Sequence, residues 1–330
     1  MRNDEERKAI DRSDMLGVIY SLPDQMEEGL DAEVEFQGES ENVIVAGMGG
    51  SAIAGDILRI WLGEQGKPLL VVRDPSLPSW IKRDDLLICI SYSGNTSETL
   101  DCLNEGIRRG CRILCITADG RMRDICESRN LPITCVPTGL PPRGALGYLF
   151  TTLARVATDD PRFMTEMEAV IHSLKTLREK LVPESEENIA HSVALEIISL
   201  YPLIYADERH LPIARRWKTQ LNENSKKHAW FGCFPEINHN EVVGWDQDEG
   251  TERFCAIFLK DDETSARMNV TIEQLRERTK VIEIQVKGEN LLSRMFQELM
   301  IGDFVSYYCA LSRGIDPTPV DAIQRIKDSK

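Results

Sequence analysis

Two short stretches of the chain crowd hydroxyls among glycines: Gly47-Met48-Gly49-Gly50-Ser51 and Ser91-Tyr92-Ser93-Gly94-Asn95-Thr96. The hydroxyls of Ser51, Ser91, Ser93 and Thr96 can donate hydrogen bonds, and Gly50 lets a ligand approach the backbone closely. Each stretch runs into a helical pattern, whose start presents N–H groups without intrahelical partners. Donors so gathered suit the three oxygens of a terminal phosphate, which implies a small phosphorylated metabolite. Ser51 and Thr96 are also good N-cap residues in any α/β protein, and the two roles are compatible.

Such a site needs both loops at one edge of a sheet. An apolar run precedes each: Val43-Ile44-Val45-Ala46 and Leu86-Leu87-Ile88-Cys89-Ile90. Strands are predicted over 43–46, 69–72, 86–90, 113–116 and 133–136, all unalternated, as when both faces are covered. Helical spacing fills 51–62, with Ile53, Ile57, Ile60 and Trp61 on one face, and 97–109, with Leu100, Leu103 and Ile107. This alternation predicts a parallel sheet with right-handed crossovers. Pro141-Pro142-Arg143-Gly144 interrupts it, and 145–157 and 164–181 read as linking helices. A second round follows, with strands at 203–205, 230–234, 254–259 and 281–284 and helices at 211–223, 265–278 and 290–312. Residues 1–35 read as an introductory helix with an acidic face. The fold class is therefore α/β: two doubly wound halves, each a mainly parallel sheet flanked by helices. The divisions fall at 1–145, 146–185 and 186–330, with no residue-level repeat and no low-complexity segment.

Composition narrows the function. Forty-two per cent of the 330 residues are hydrophobic, enough for sizeable cores and too many for a disordered chain. The longest uncharged apolar stretch, 43–54, is glycine-broken and shorter than the ~20 residues of a membrane span. The charged start Met1-Arg2-Asn3-Asp4-Glu5-Glu6 lacks a signal-peptide core, so a cytoplasmic protein without a membrane partner is expected. A formal net charge of −15 argues against nucleic acid, which requires a basic face. It also means that an anionic substrate needs a locally positive site. Nine cysteines without a Cys-x-x-Cys pair argue against zinc and against a disulfide framework. Cys89, Cys115 and Cys135 lie in apolar runs, where cysteine acts as a small buried hydrophobe.

Other templates fit the same residues less well. Gly47-Met48-Gly49-Gly50-Ser51-Ala52 fits the loose dinucleotide pattern, and Asp74 follows the next strand. Asp74 stands 27 positions after Gly47, beyond the usual spacing of about 20, and precedes a proline. A dinucleotide also has no need of the second hydroxyl loop. Position 53 is isoleucine, so Ser51 is not a nucleophile-elbow serine. A Walker A sequence and a His-Glu-x-x-His sequence do not occur, and five scattered histidines offer no metal cluster. Asp246-x-Asp248-x-Gly250 resembles a calcium loop, but Ile257 occupies the closing position, which leaves an acidic turn.

A second polar stretch runs Asn222-Glu223-Asn224-Ser225-Lys226-Lys227-His228-Ala229, followed by Pro235-Glu236-Ile237-Asn238-His239-Asn240. Ile213, Ala214, Trp217 and Leu221 mark the buried side of the preceding helix and put Glu223 near its C-terminal end. Loop polarity alone would explain these residues, and a lone loop histidine is usually a surface residue.

Taken together, these motifs resemble the bifunctional phosphoglucose/phosphomannose isomerases of the sugar isomerase (SIS) fold. The resemblance rests on the two hydroxyl loops, the latter extended through Ser97-Glu98-Thr99, and on Pro142-Arg143-Gly144. Asn222-Glu223-Asn224, Pro235 to Asn240, Asp316-Pro317-Thr318-Pro319-Val320 and Lys327 complete it, in the family's order across nearly the whole chain. The Ser-x-Ser-Gly-x-Thr loop alone marks only an SIS domain, a class that includes regulators; the later motifs specify the isomerase.

The resemblance implies two SIS-type subdomains in a homodimer that binds a sugar phosphate without a cofactor or metal. Gly50, Ser51, Ser91, Ser93 and Thr96 would hold the phosphate. Glu223 would be the base that moves a proton between C1 and C2, a task open to a carboxylate when desolvation favours its protonated form. Arg143 would bind the substrate and stabilise the enediolate, because its planar fork of donors matches two adjacent oxygens. The prolines before it would stiffen its approach. His239, supplied by the partner subunit, would assist ring opening. Lys327 would be a second ring-opening group, on a terminal helix docked through Val320, Ile323 and Ile326. Thr318 is a candidate for the small-residue feature that admits both C2 epimers. Glu236 competes with Glu223 locally and reads better as a solvated carboxylate. A non-catalytic SIS sensor would have no use for the Glu/His/Arg/Lys set, and a nicotinamide oxidoreductase remains the third reading.

Overall fold

The computed structural model describes residues 4–34, 40–247 and 249–329. The chain divides into two compact units, Ser21–His172 and Met1–Tyr20 with Ser173–Lys330.

The unit Ser21–His172 is built on β1 (Val43–Gly47), β2 (Leu69–Val72), β3 (Leu86–Ile90), β4 (Arg112–Thr117) and β5 (Ile133–Cys135). All neighbours are parallel, in the order β2-β1-β3-β4-β5. Every residue of β3 is buried, which is why its sequence shows no polar alternation. The helices Gly49–Gly63 and Ser97–Arg109 turn the expected stripes inward: Ile53, Ile57, Trp61, Leu100 and Leu103 are buried, and Ile60 and Ile107 half-buried. Leu100 and Leu103 join Leu87 and Cys115 in one core cluster. Cys135 departs from its expected burial. It ends the edge strand β5, whose other residues are only half-buried, and is itself exposed.

The unit Met1–Tyr20 with Ser173–Lys330 carries β6 (Tyr201–Asp207), β7 (Trp230–Phe234), β8 (Phe254–Lys260) and β9 (Lys280–Gln285), parallel in the order β7-β6-β8-β9. The helix Leu211–Glu223 crosses from β6 to β7 and buries Ile213, Ala214, Trp217 and Leu221 as their spacing predicts. The Trp217 indole N–H donates to the Glu298 carbonyl at 2.8 Å, fastening that crossover to the helix Leu291–Ser312.

Two further expectations need correction. The described part of 1–35 is three short helices, Asp4–Ile10, Met15–Tyr20 and Leu22–Asp31, rather than one. The break has a local cause: the Asp11 carboxylate accepts the N–H groups of Met15 at 2.8 Å and Leu16 at 3.0 Å and starts a new helix. The terminal helix Asp321–Asp328 forms, but Ile323 is 40% and Ile326 67% exposed, so spacing made it amphipathic without docking it. Among the described residues, no helix is long and apolar enough to cross a membrane. Met1, Arg2, Asn3, Asp248 and residue 35 of the introductory segment lie outside the described residues.

Candidate active site

In the first sheet β1 lies between β2 and β3, so the chain reverses its direction of winding there, and ligands of open parallel sheets bind at such a point. Gly47, the last residue of β1, pairs in register with Ile90, the last residue of β3. Both hydroxyl loops therefore leave the sheet side by side. The order also differs from the 3-2-1-4-5-6 order of a dinucleotide fold. Asp74 is engaged locally instead, accepting the Ser76 N–H at 3.1 Å and hydroxyl at 2.7 Å, bonds that lower its pKa.

The hydroxyls are not consumed by helix capping. The helix after β1 begins at Gly49, with Met48 as its N-cap and φ of +51° at Gly49, so Ser51 falls inside the first turn. Thr96 does occupy the N-cap of Ser97–Arg109 but makes no side-chain cap bond. Its Oγ1 lies 2.9 Å from the Ser91 Oγ instead. Ser51 and Ser91 are buried, and Ser93 and Thr96 half-buried.

The loop after β3 is shaped by tight backbone contacts. Gly94 has φ of +65°, and a Cβ there would lie 1.7 Å from the Asp119 carbonyl oxygen. The Met122 N–H donates to the Gly94 carbonyl at 2.9 Å. Asn95, which the sequence did not single out, braces the turn: its side chain donates to the Ser93 carbonyl at 2.8 Å and accepts the Arg121 N–H at 3.2 Å. An Asn two residues past a loop serine was the available signal.

Arg143 belongs to the chain leaving β5 at the far edge of the sheet. The segment returns, and the 3₁₀ turn Pro142–Gly144 packs on the helix Gly49–Gly63. Arg143 is 5% exposed.

The other unit carries the remaining candidates. Glu223 is the half-buried last residue of Leu211–Glu223. The Lys226 ammonium, in left-handed backbone with φ of +51°, donates to the carbonyls of Glu223 at 2.7 Å, Pro317 at 2.9 Å and Asp316 at 3.1 Å. A cation at a helix C-terminus satisfies carbonyls that lack intrahelical donors. Here it also ties Glu223 to the Asp316-Pro317-Thr318 segment, joining two motifs about ninety residues apart. Lysine just beyond a helix end was the sequence signal for this clamp. Pro317 is buried and Thr318 half-buried; Lys327 lies on the exposed helix Asp321–Asp328.

His239 ends the 3₁₀ turn Glu236–His239 that follows β7. Ile237 anchors this turn in a cluster with Phe234, Trp245 and Met268, a burial that contributes about 2 kcal/mol. The side-chain carbonyl oxygen of Asn238 accepts the Thr271 hydroxyl at 2.9 Å. Those anchors leave His239 itself exposed. Glu236 is exposed as well and accepts from Asn240 at 2.9 Å.

A buried ionic network fills the corresponding edge of the second sheet. His210 is 1% exposed, with Nδ1 2.6 Å from Glu298 and Nε2 3.1 Å from Asp261. Arg294 donates to Asp261 at 2.9 Å, and Arg209 lies beside Asp207. Burial alone lowers the His210 pKa, but the Glu298 charge and the bonds to Asp261 and Glu298 outweigh it and raise it to about 10. Burial raises Glu298 to about 7 against the pull of His210. Among the described residues, no group of three or more His, Cys, Asp or Glu side chains is placed to hold a metal ion.

Two parallel sheets and a hydroxyl-lined switch point define a protein of two SIS-type α/β domains. Residues 38–122 match the SIS domain family, and 186–329 match the family described as bacterial phospho-glucose isomerase C-terminal SIS domain. A bifunctional phosphoglucose/phosphomannose isomerase of Caldicellulosiruptor bescii is 34% identical over 95% of this chain and 98% of its own. One of Aquifex aeolicus is 36% identical over 87% and 90%. The chain belongs to the bifunctional phosphoglucose/phosphomannose isomerase family. Its fold is similar to that of a glucose-6-phosphate isomerase like protein from Thermus thermophilus, with a TM-score of 0.68, 19% identity and full coverage of both chains.

Proposed function

We propose that the protein interconverts glucose 6-phosphate and mannose 6-phosphate with fructose 6-phosphate by metal-free general acid–base catalysis through a cis-enediol. The observation that carries this reading is the set of hydroxyls at the β1/β3 switch point, left uncommitted by capping, in a chain of this isomerase family. Gly50, Ser51, Ser91, Ser93 and Thr96 take the phosphate. His239 of the partner subunit and Lys327 open the sugar ring.

Glu223 then removes the C2 proton of the open aldose, and the electron pair moves toward O1. Arg143 holds the negative charge that develops on O1 and O2, where bidentate donors act most strongly on the transition state. The O2 proton passes to O1, and returning the abstracted proton from Glu223 to C1 then restores a carbonyl at C2 and yields the ketose. C2 is planar in the enediol, so protonation from either face on the return path gives either epimer. The Pro317-Thr318 segment, held to Glu223 by Lys226, supports a place for Thr318 beside the reacting end.

A coupled assay for fructose 6-phosphate formed from mannose 6-phosphate, run with a chelator, tests the reading. Turnover that survives chelation is expected, and turnover lost on chelation would contradict the metal-free step. Binding without any turnover would favour a sugar-phosphate sensor.

A further inference from the structure

Tyr92 stands between Ser91 and Ser93 in the loop after β3, and its side chain is 6% exposed. Its hydroxyl donates to the Pro137 carbonyl at 2.9 Å and accepts the Leu140 N–H at 3.0 Å. Both partners lie on the segment that returns from β5 toward Arg143. A phenol spent on two backbone groups of another loop does more than fill space, because a phenylalanine would fill the same space.

The path from that anchor to the guanidinium is short and stiff. Leu140 is followed by Pro141, Pro142 and Arg143, and proline rings fix φ. The Gly144 N–H closes on the Pro141 carbonyl at 2.7 Å, and the Gln25 amide donates to the Gly144 carbonyl at 2.9 Å. Both ends of the turn that bears Arg143 are thus held, one by Tyr92 and the other by Gln25. On its own side Tyr92 is continuous with Ser91, whose hydroxyl meets Thr96 at 2.9 Å.

We propose that Tyr92 is a positioning residue: its hydroxyl sets Arg143 at a fixed place relative to the phosphate loop, matching the span from the phosphate to the reacting oxygens. This rests on the isomerase reading above and deepens it. Substrate held at one end then presents C1 and C2 to the guanidinium without further adjustment, the orientation in which a displacement of about 1 Å costs up to about a hundred-fold in rate.

The test compares wild type with Tyr92→Phe. Two ligands are titrated: sorbitol 6-phosphate, which offers phosphate and hydroxyls, and arabinonic acid 5-phosphate, whose carboxylate imitates the enediolate. The variant is expected to lose about ten-fold or more in kcat and in affinity for the carboxylate ligand. KM and sorbitol 6-phosphate affinity should stay within about two-fold, since the phosphate hydroxyls are untouched. Equal loss for both ligands would assign Tyr92 to the phosphate loop alone and overturn the proposal; so would no loss for either. A wild type that neither isomerises nor prefers the carboxylate ligand overturns the isomerase reading and this inference with it. Should Tyr92→Phe fail to fold, Pro141→Gly keeps the hydroxyl but loosens the link. The same split between ligands is expected of it, and an unchanged preference for the carboxylate would overturn the proposal.

Discussion

Glu223 and His239 flank one strand, β7, Glu223 on the helix that leads into it and His239 on the turn that leaves it. Six residues separate the end of the helix Leu211–Glu223 from the start of β7 at Trp230, and His239 closes the turn Glu236–His239 after Phe234. Ile237, two residues before His239, folds back against Gly232 in the middle of β7. The proposed mechanism takes His239 from the partner subunit, so the two residues would meet only across two chains.

A complementation experiment tests whether His239 acts from the partner subunit. Glu223→Gln and His239→Ala should each be inactive alone. Co-expressed, they should recover about a quarter of wild-type turnover if the proposed dimer forms, because mixed dimers would make up half the population and each would hold one intact pair. Activity absent from the mixture would mean that both groups act within one chain.

Gly94→Ala should remove the phosphate loop and weaken the fold together. The substitution forces a Cβ against the Asp119 carbonyl in left-handed backbone. Strain of this kind costs on the order of 1–3 kcal/mol, more where the backbone cannot yield. Urea unfolding should show the loss as a lower midpoint, and phosphate-ligand affinity should fall at least ten-fold. A variant with both unchanged would show that the loop tolerates another geometry.

The His210 network sets a direction for stability with pH. Its pKa in the folded chain is raised from the ordinary 6.5 to about 10, so the native state holds a proton that the unfolded state releases. Stability from this group is complete below about pH 6.5 and is lost as pH rises through 10, at up to about 1.4 kcal/mol per unit. Glu298, raised to about 7, adds the same sign of dependence from its ordinary 4.5 up to 7. Thermal unfolding from pH 7 to 10.5 should therefore fall more steeply for wild type than for His210→Gln. Parallel curves would mean that His210 is neutral in the fold.

Much of this architecture was legible because burial on both faces leaves a plain mark. β1 and β3 announce themselves as unbroken Val/Ile/Leu/Cys runs, and the hydroxyl loops follow directly. The helix Arg121–Arg129 was missed because it buries only Met122 and Cys126 among charged neighbours. The helix Ile189–Ile197 had a better clue, the Asn188 cap that accepts the His191 N–H at 2.9 Å, but its apolar residues face more than one direction. No local pattern could have assembled His210, Asp261 and Glu298, which meet only through folding. Apolar spacing in the last helix misled for the converse reason: periodicity gives a face, not something to cover it. Arg143, Glu223 and Lys327 took their expected roles from resemblance, because a single charged residue in a turn or at a helix end carries no distinctive spacing.

The most direct test of proton transfer by Glu223 is isotope exchange in heavy water. Wild type should incorporate deuterium at C2 of glucose 6-phosphate and at C1 of fructose 6-phosphate, while Glu223→Gln should lose exchange by at least about a thousand-fold and still bind sorbitol 6-phosphate normally. Exchange that persists in the Gln variant at the wild-type rate would place the base elsewhere.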